Sequence, residues 1–187
     1  MTVCGLGNPG DRYAATRHNV GFMVADTVAR RLGLRFRHRP GRDIARGPFA
    51  DRVLRLVKPM LWMNESGVPV KEQLAAEPDD LLVVCDDIWL PFGRLRLRPA
   101  GSDGGHKGLA SIIYRLGTDR FARLRFGVGE PPPEMDSADW VLANFAPGER
   151  TALPDLLDRA ADACLCAAEH GLEPAMNRYN AAAGEAE

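Results

Sequence analysis

The segment formed by residues 13–22 holds side chains that can perform acid–base chemistry. It places His18 between Arg17 and Asn19, directly before an apolar run with helical spacing. An imidazole titrates near neutral pH, so a histidine can take a proton from water and return it later in a reaction. A lone histidine at a helix start is more often an ordinary surface residue. The rest of the chain must supply the partners that a catalytic histidine needs.

A carboxylate that could orient this histidine follows the most apolar run of the sequence. Residues 81–85 read Leu-Leu-Val-Val-Cys, which is typical of a strand buried on both faces, and Asp86 and Asp87 come directly after it. A carboxylate that accepts one ring N–H fixes the tautomer of a histidine. Adjacent acids also occur in solvated turns and in metal sites. Because no cluster of His, Cys and Asp completes a set of ligands, we predict no metal.

Two asparagines are candidates for binding a substrate. Asn8 lies in the string Gly-Leu-Gly-Asn-Pro-Gly at 5–10, which formally matches G-x-G-x-x-G. A dinucleotide site would continue directly into a helix, whereas the proline and glycine here indicate a turn. We interpret this turn as presenting Asn8 at the carboxyl end of a strand, where ligands of α/β sheets bind. Asn64 precedes a predicted helix and is either a ligand-binding amide or a helix cap.

Basic residues with regular spacing are candidates for binding phosphate. The strict alternation at 94–98 predicts a strand that carries Arg94, Arg96 and Arg98 on one face. Guanidinium groups match phosphate oxygens, although such a face is commonly just solvated. The glycine-rich segment 101–109 contains His106 and Lys107 and leads into a predicted helix, whose first N–H groups can face an anion.

Strands alternate with helices along the chain, which predicts one α/β domain. Strands are expected at 2–4, 53–58, 81–85, 94–98 and 123–128. Helices are expected at 20–32, 69–76, 110–116, 138–145 and 149–170, with Asn19 as the N-cap of the first. Residues 36–49 are a loop or an edge hairpin. The tail from about residue 181 is expected to be flexible.

Composition narrows the class of protein. The chain has 187 residues, of which 45% are hydrophobic and 26% charged, as in folded globular domains. Its net charge of −1 means that binding of a nucleic acid needs a local basic patch. Four cysteines without paired spacing favour a reducing, cytoplasmic setting. We predict no signal peptide, because the chain begins with a strand, and no membrane span.

In combination and order, these motifs resemble those of the bacterial-type peptidyl-tRNA hydrolases. The resemblance runs essentially end to end, and the ordered set is specific although each piece alone is weak. The motifs are Gly-Leu-Gly-Asn-Pro-Gly at 5–10, the segment 13–22, Lys58-Pro59 with 63–67, Asp86-Asp87, Leu90-Pro91 with Gly93, Gly104-Gly105-His106, 127–129, 139–142 with Phe145, and 175–180.

The resemblance implies a single three-layer α/β/α domain with a mixed central sheet, spanning residues 1–187. It implies hydrolysis of the ester that joins a peptide to the 3′ end of tRNA, by a monomer without a cofactor. It assigns His18 as the base and Asp86 as its partner. Substrate would be bound by Asn8, Tyr13, Met63, Asn64, His106 and Lys107, and tRNA phosphate by Arg96, Arg98 and Arg125. No Ser or Cys nucleophile with a partnered His is evident, so we predict attack by water without a covalent intermediate.

The sequence departs from the family pattern at three places. Lys107 stands where the family usually has Asn, and we expect activity to be altered but retained. Trp89 stands where an acid is common, and Leu61-Trp62 replaces a more usual Thr-Phe. We expect these two changes to affect packing only, with Trp62 and Met63 as packing residues. A non-catalytic RNA-binding relative and a small-ester or peptide hydrolase without RNA are the alternative functions.

Overall fold

The chain forms one seven-stranded sheet with the strand order β2-β3-β4-β1-β5-β7-β6, in a computed structural model that describes residues 1–181. The strands are β1 Thr2–Gly5, β2 Arg37–Arg39, β3 Arg42–Phe49, β4 Arg52–Pro59, β5 Leu81–Asp87, β6 Leu95–Arg98 and β7 Ala122–Gly127. The helices are α1 Val20–Arg31, α2 Gly67–Ala76, α3 Lys107–Leu116, α4 Ser137–Leu142, α5 Pro147–His170 and α6 Leu172–Tyr179. None of these described helices is long and apolar enough to cross a membrane.

The sheet is mixed, which confirms the predicted fold class. Its four central strands, β4, β1, β5 and β7, are parallel, and the outer strands β2, β3 and β6 are antiparallel to their neighbours. The carboxyl ends of the parallel strands therefore meet at one edge of the sheet, where ligands of α/β proteins bind.

Helices cover both faces of the sheet because the central strands are apolar on both sides. Val3 and Val84 pack into a core with residues of α1 and α5. Cys4 and Cys85, the next residue of each strand, pack into a second core with residues of α2 and α3. Successive side chains of a strand point to opposite faces, so the continuous apolar runs produce three layers.

Two glycines allow α1 to lie directly on the end of β1. A Cβ on Gly5 would overlap the carbonyl oxygen of Gly21, and a Cβ on Gly21 would overlap the backbone of Leu6 and Val84. The backbones are close enough for Phe22 N–H to donate to the carbonyl of Leu6 at 3.1 Å. This contact fixes the turn that precedes α1, and with it His18, beside the ends of β1 and β5.

The structure corrects several local predictions. Residues 36–49 form an edge hairpin of β2 and β3, which was one of the two predicted alternatives. Helices α2 and α3 begin two and three residues earlier than expected. Asn19 occupies the N-cap position of α1, but its side chain makes no capping bond. The flexible tail was predicted from about residue 181, and residues 182–187 lie outside the described part of the chain.

Candidate active site

A cleft of about 540 Å³ opens at the carboxyl edge of the sheet. Most of the predicted site residues line it, namely Asn8, His18, Met63, Asn64, Asp86, His106, Lys107 and Arg125. Tyr13, Arg96 and Arg98 are not among the lining residues of the cleft. The turn after β1, the end of β5, the 3₁₀ turn Met63–Glu65 and the start of α3 thus contribute side chains to one site.

His18 and Asp86 form a hydrogen-bonded pair at the base of this cleft. His18 Nδ1 lies 2.8 Å from Asp86 Oδ1, and the carboxylate is 3% exposed. With the carboxylate ionised, the ring donates its Nδ1–H, which leaves Nε2 as the proton acceptor. No protein group within residues 1–181 occupies that Nε2. Burial alone raises the pKa of Asp86, but its electrostatic attraction to His18 and His106 and the N–H bonds from both rings outweigh this and lower it.

His106 supports Asp86 from the other side. Its Nδ1 accepts the backbone N–H groups of Gly108 and Leu109 at 3.1 and 3.3 Å. That bonding places the ring proton on Nε2, which lies 3.0 Å from the same Asp86 Oδ1. Both ring nitrogens are thus used by protein groups, so His106 has no free nitrogen for a substrate, the role suggested for it from the sequence. One carboxylate oxygen accepts an N–H from each of two imidazoles.

The same three side chains are near enough to suggest a metal site. His18, Asp86 and His106 each offer a ligand atom, all within 4.8 Å of one another. However, the backbone bonds to His106 Nδ1 put a proton on the nitrogen that faces Asp86. A protonated nitrogen has no lone pair for a metal, so the geometry is that of a hydrogen-bonded triad. The absence of a metal stays a prediction.

The Asn8 amide is oriented by its neighbours. Its Oδ1 accepts the backbone N–H of Met63 at 2.9 Å. Its own backbone N–H and carbonyl are bonded by the side chain of Asn19, both at 2.9 Å. Asn19 therefore fixes the Asn8 turn instead of capping α1. Because Oδ1 is occupied, the Asn8 Nδ2 group is the donor available to a ligand in the cleft.

Asn64 and Lys107 present exposed polar groups to the cleft. Asn64 lies in the 3₁₀ turn Met63–Glu65, and the N-cap position of α2 is Ser66, so Asn64 does not cap that helix. Lys107 is the first residue of α3 and directly follows His106. No salt bridge engages Lys107 within residues 1–181. The positive side chain thus lines the same cleft as His18 and Asp86.

Asp87 and Arg125 form a second charged pair in the wall of the cleft. Arg125 Nη1 lies 3.2 Å from Asp87 Oδ2, and Arg125 also donates to the Ser102 carbonyl at 2.9 Å. Asp87 therefore neutralises part of the charge of Arg125, one of the three arginines that the resemblance assigns to tRNA phosphate. Arg96 is the register partner of Arg125, and Arg96 and Arg98 are the exposed residues of β6.

The two tryptophans that were expected to affect packing only are instead exposed walls of the cleft. Trp62 is 48% exposed and Trp89 is 68% exposed. Tyr13 supports Trp62 edge-on, with 5.9 Å between ring centroids. Met63, by contrast, is buried as predicted. Neither exposure could be predicted from the sequence, because a large aromatic residue next to an apolar run is usually at least partly buried in the core.

Arg17, the residue before the candidate base, bonds to the backbone just after α4, a contact that was not predicted from the sequence. Its guanidinium is 2% exposed and donates to Glu149 at 2.6 Å and to the backbone carbonyls of Ala143 and Asn144. It also stacks on Trp140, with 3.6 Å from Cζ to the ring centroid. The residue before His18 is therefore held against the segment that ends α4.

Comparisons with known proteins identify the family to which the chain belongs. A family model described as peptidyl-tRNA hydrolase matches residues 2–187. Peptidyl-tRNA hydrolases of Mycobacterium tuberculosis and Mycobacterium ulcerans are each 47% identical over 186 residues, covering 97% of both chains. A crystal structure of the Acinetobacter baumannii peptidyl-tRNA hydrolase superposes with a TM-score of 0.86 at 33% identity, covering 96% of this chain and 94% of the other. The chain belongs to the peptidyl-tRNA hydrolase family.

Proposed function

We propose that this chain hydrolyses the ester between a peptide and the 3′ end of tRNA, with water activated by His18 and Asp86. The observation that carries the proposal is the triad at the base of the cleft. Asp86 fixes His18 with Nε2 free, and His106 holds Asp86. The substrate is inferred from membership of the family. Activation of water is inferred from the hydrogen bonds among His18, Asp86 and His106.

The reaction needs no covalent intermediate. His18 Nε2 takes a proton from water while the water oxygen bonds to the ester carbonyl carbon. The resulting imidazolium is stabilised by the charge of Asp86. When the tetrahedral intermediate collapses, the bond to the ribose oxygen breaks, and that oxygen receives the proton from His18. The products are a peptide with a free carboxylic acid and a tRNA with a free hydroxyl.

Two side-chain amides would position the substrate. Asn8 offers its Nδ2 group, because Met63 occupies its oxygen. Asn64 lies exposed on the adjoining turn and would hold the peptide and the attacked carbonyl. A donor aimed at the developing oxyanion is typically worth about 10²–10³ in kcat. Loss of either amide should therefore lower activity, with Asn64→Ala affecting kcat if it serves the oxyanion.

Arg96, Arg98, Arg125 and Lys107 would contact tRNA phosphates. Arg96 and Arg98 are exposed on the edge strand β6, beside Arg125 on β7. Each neutralised phosphate contributes roughly −0.7 to −0.9 to the slope of log affinity against log salt. Arg98→Ala should raise KM and make this slope shallower by about that amount. An unchanged slope and KM would remove Arg98 from the interface.

The central test compares His18 with a matched histidine. His18→Ala should lower hydrolysis of an N-blocked aminoacyl-tRNA by about 10²–10⁴-fold. His38 is the control, since it forms the same Nδ1–Oδ1 bond with Asp43, at 2.9 Å, on the outer hairpin. Its side chain is 75% exposed, so His38→Ala should hydrolyse at the parent rate. Near-parent activity of His18→Ala would refute the assignment.

The alternative functions are separated by the choice of substrate. The parent protein is incubated with an N-blocked aminoacyl-tRNA and with a simple amino-acid ester, at two salt concentrations. Hydrolysis of the tRNA ester alone, weakened by salt, supports the proposal. Binding without hydrolysis would indicate a non-catalytic RNA-binding protein, and salt-independent hydrolysis of both would indicate a general esterase. The monomeric state and the cytoplasmic location stay predictions.

A further inference from the structure

We propose that three arginines of the outer hairpin form a second contact surface for the RNA backbone of the substrate, outside the cleft. These hairpin arginines are Arg35, Arg37 and Arg39, which lie on strand β2 and just before it. None of them is among the lining residues of the cleft. The inference rests on the proposed function, because it takes the RNA to be the tRNA whose 3′ end occupies the cleft.

Positive charge is concentrated in the segment that leads into this hairpin. Residues 30–42 contain six arginines and one histidine but no aspartate or glutamate, whereas the whole chain has a net charge of −1. The first two, Arg30 and Arg31, are paired with Asp158 and Asp162 of α5. The hairpin arginines are exposed, and no acid within residues 1–181 forms a salt bridge with them. Their charge is therefore available to an external anion.

Strand geometry gathers this charge on one face of the hairpin. Successive side chains of a strand alternate between faces, so Arg37 and Arg39 share a face and His38 lies on the other. In the antiparallel register Arg39 lies directly opposite Arg42. Like charges opposite each other destabilise a strand pair, and Glu72 pairs only with Arg42, at 2.9 Å. An anion bound beside Arg39 would offset this repulsion.

The hairpin lies at the same edge of the sheet as the cleft. Arg42, the residue after the hairpin loop, is the register partner of Pro59 at the carboxyl end of β4. Met60 N–H donates to the Gly41 carbonyl of the loop at 2.8 Å. Trp62, two residues after Met60, lines the cleft. The hairpin arginines therefore extend away from the cleft along the outermost strand, from an end that lies next to the cleft wall.

The chemistry of this face suits an RNA backbone better than a protein partner. Guanidinium groups match phosphate oxygens, and alternate residues of a strand are about 7 Å apart, so neighbouring arginines can reach separate phosphates. Backbone N–H groups on the open side of an edge strand can also bond phosphate. A stable protein interface has an apolar centre, and no large hydrophobic side chain of β2 or β3 is exposed.

The test replaces Arg37 and Arg39 together by alanine and measures binding of unacylated tRNA at several salt concentrations. Each phosphate contact contributes roughly −0.7 to −0.9 to the slope of log affinity against log salt, so Arg37→Ala/Arg39→Ala should bind more weakly with a slope shallower by roughly 1.4–1.8. With an N-blocked aminoacyl-tRNA, KM should rise severalfold while kcat keeps the parent value. Arg37→Lys/Arg39→Lys retains both charges and should keep most of the slope.

Arg30→Ala/Arg31→Ala is the matched control, because it removes two arginine charges from α1, where both are paired with acids. It should leave the affinity and the slope unchanged. The inference is overturned if Arg37→Ala/Arg39→Ala keeps the parent slope, or if the control loses as much affinity. Aggregation with unchanged affinity of the soluble monomer would also overturn it, since the charges would then only protect the sheet edge.

Two further outcomes separate this inference from its neighbours. Poly-glutamate is the probe for an acidic protein partner, and loss of its binding in Arg37→Ala/Arg39→Ala without loss of tRNA affinity would overturn the inference. Binding of unacylated tRNA does not require hydrolysis. A parent that binds tRNA through the hairpin arginines but cleaves no ester would therefore refute the proposed function and support the contact surface.

Discussion

Replacing Asp86 by Asn should remove the charge that stabilises His18 while leaving the geometry of the triad in place. His18 Nδ1 and His106 Nε2 both point to Asp86 Oδ1, at 2.8 and 3.0 Å. An asparagine can put its carbonyl oxygen at that position and accept both N–H groups. Its NH₂ group then takes the place of Oδ2, away from both rings, so neither histidine is forced into the other tautomer.

The size of the effect follows from the lost charge. Two unit charges about 4 Å apart interact by about 4 kcal/mol at an effective dielectric constant of 20. A factor of ten in rate corresponds to about 1.36 kcal/mol, so losing the full charge interaction of about 4 kcal/mol would lower the rate by about 10³-fold. We expect Asp86→Asn to lower kcat by about 10²–10³-fold with little change in KM. Asp86→Ala should lose more, because it also removes the orientation of both rings.

Single-turnover hydrolysis of an N-blocked aminoacyl-tRNA measures this difference directly. The control is Asp87→Asn, since Asp87 is the adjacent carboxylate but pairs with Arg125 rather than with a histidine. It should leave kcat close to the parent value, although KM can rise. Circular dichroism of each variant checks that the fold is kept. If Asp86→Asn reacts at the parent rate, or no faster than Asp86→Ala, the stated division between charge and orientation is wrong.

Four further outcomes follow from the structure. Gly21→Ala should destabilise the fold by about 1–3 kcal/mol in urea unfolding, because its Cβ overlaps the backbone of Leu6, whereas Gly148→Ala has open space and should be neutral or stabilising. Arg17→Ala leaves the carbonyls of Ala143 and Asn144 without their guanidinium donor and should cost about 1–3 kcal/mol in the same assay. Glu149→Gln keeps a side-chain oxygen that can accept from Arg17 and should cost less. The pKa of Asp86 is lowered in the fold, so the ionised carboxylate stabilises the folded state. This stabilisation is complete above the ordinary pKa of 3.8 and is lost as the pH falls below it. In a plot of unfolding free energy against pH, Asp86→Asn should therefore have a shallower slope below pH 3.8 than the parent. Lys107→Asn should change turnover or KM for the tRNA ester, and a variant identical to the parent in both would exclude a functional role for Lys107.

Much of the fold could be predicted, because the spacing of apolar residues along the chain indicates which faces of a strand or helix are buried. The continuous apolar run before Asp86 predicted a strand buried on both faces, and β5 is buried along its whole length. The alternation at 94–98 predicted β6, although Arg94 precedes the strand and donates to the Asn180 carbonyl. Residues 36–49 lacked a clear pattern, since an edge hairpin with exposed arginines buries little apolar surface.

The site could be predicted only in part, because contacts between distant segments leave no local pattern. The pairing of His18 with Asp86 was expected from the resemblance and from the end of an apolar strand. The role of His106 depends on two backbone N–H groups at the start of α3, which are visible only in three dimensions. The same holds for Asn19, whose position before a helix predicted a cap but whose side chain bonds to Asn8. Exposure of Trp62 and Trp89 depends on the shape of the cleft.

The position of Arg17 in the chain has a consequence for how products leave. It precedes the base directly, and its guanidinium is held by carbonyls at the end of α4 and by the Trp140 ring. A movement of α4 that widened the exit would have to break these bonds or pull the imidazole away from its carboxylate. If the Arg17 bonds hold, the widened cleft would contain a histidine separated from its carboxylate, and hydrolysis of a second ester would wait until α4 returned. If they break, the histidine would stay oriented while the cleft is wide.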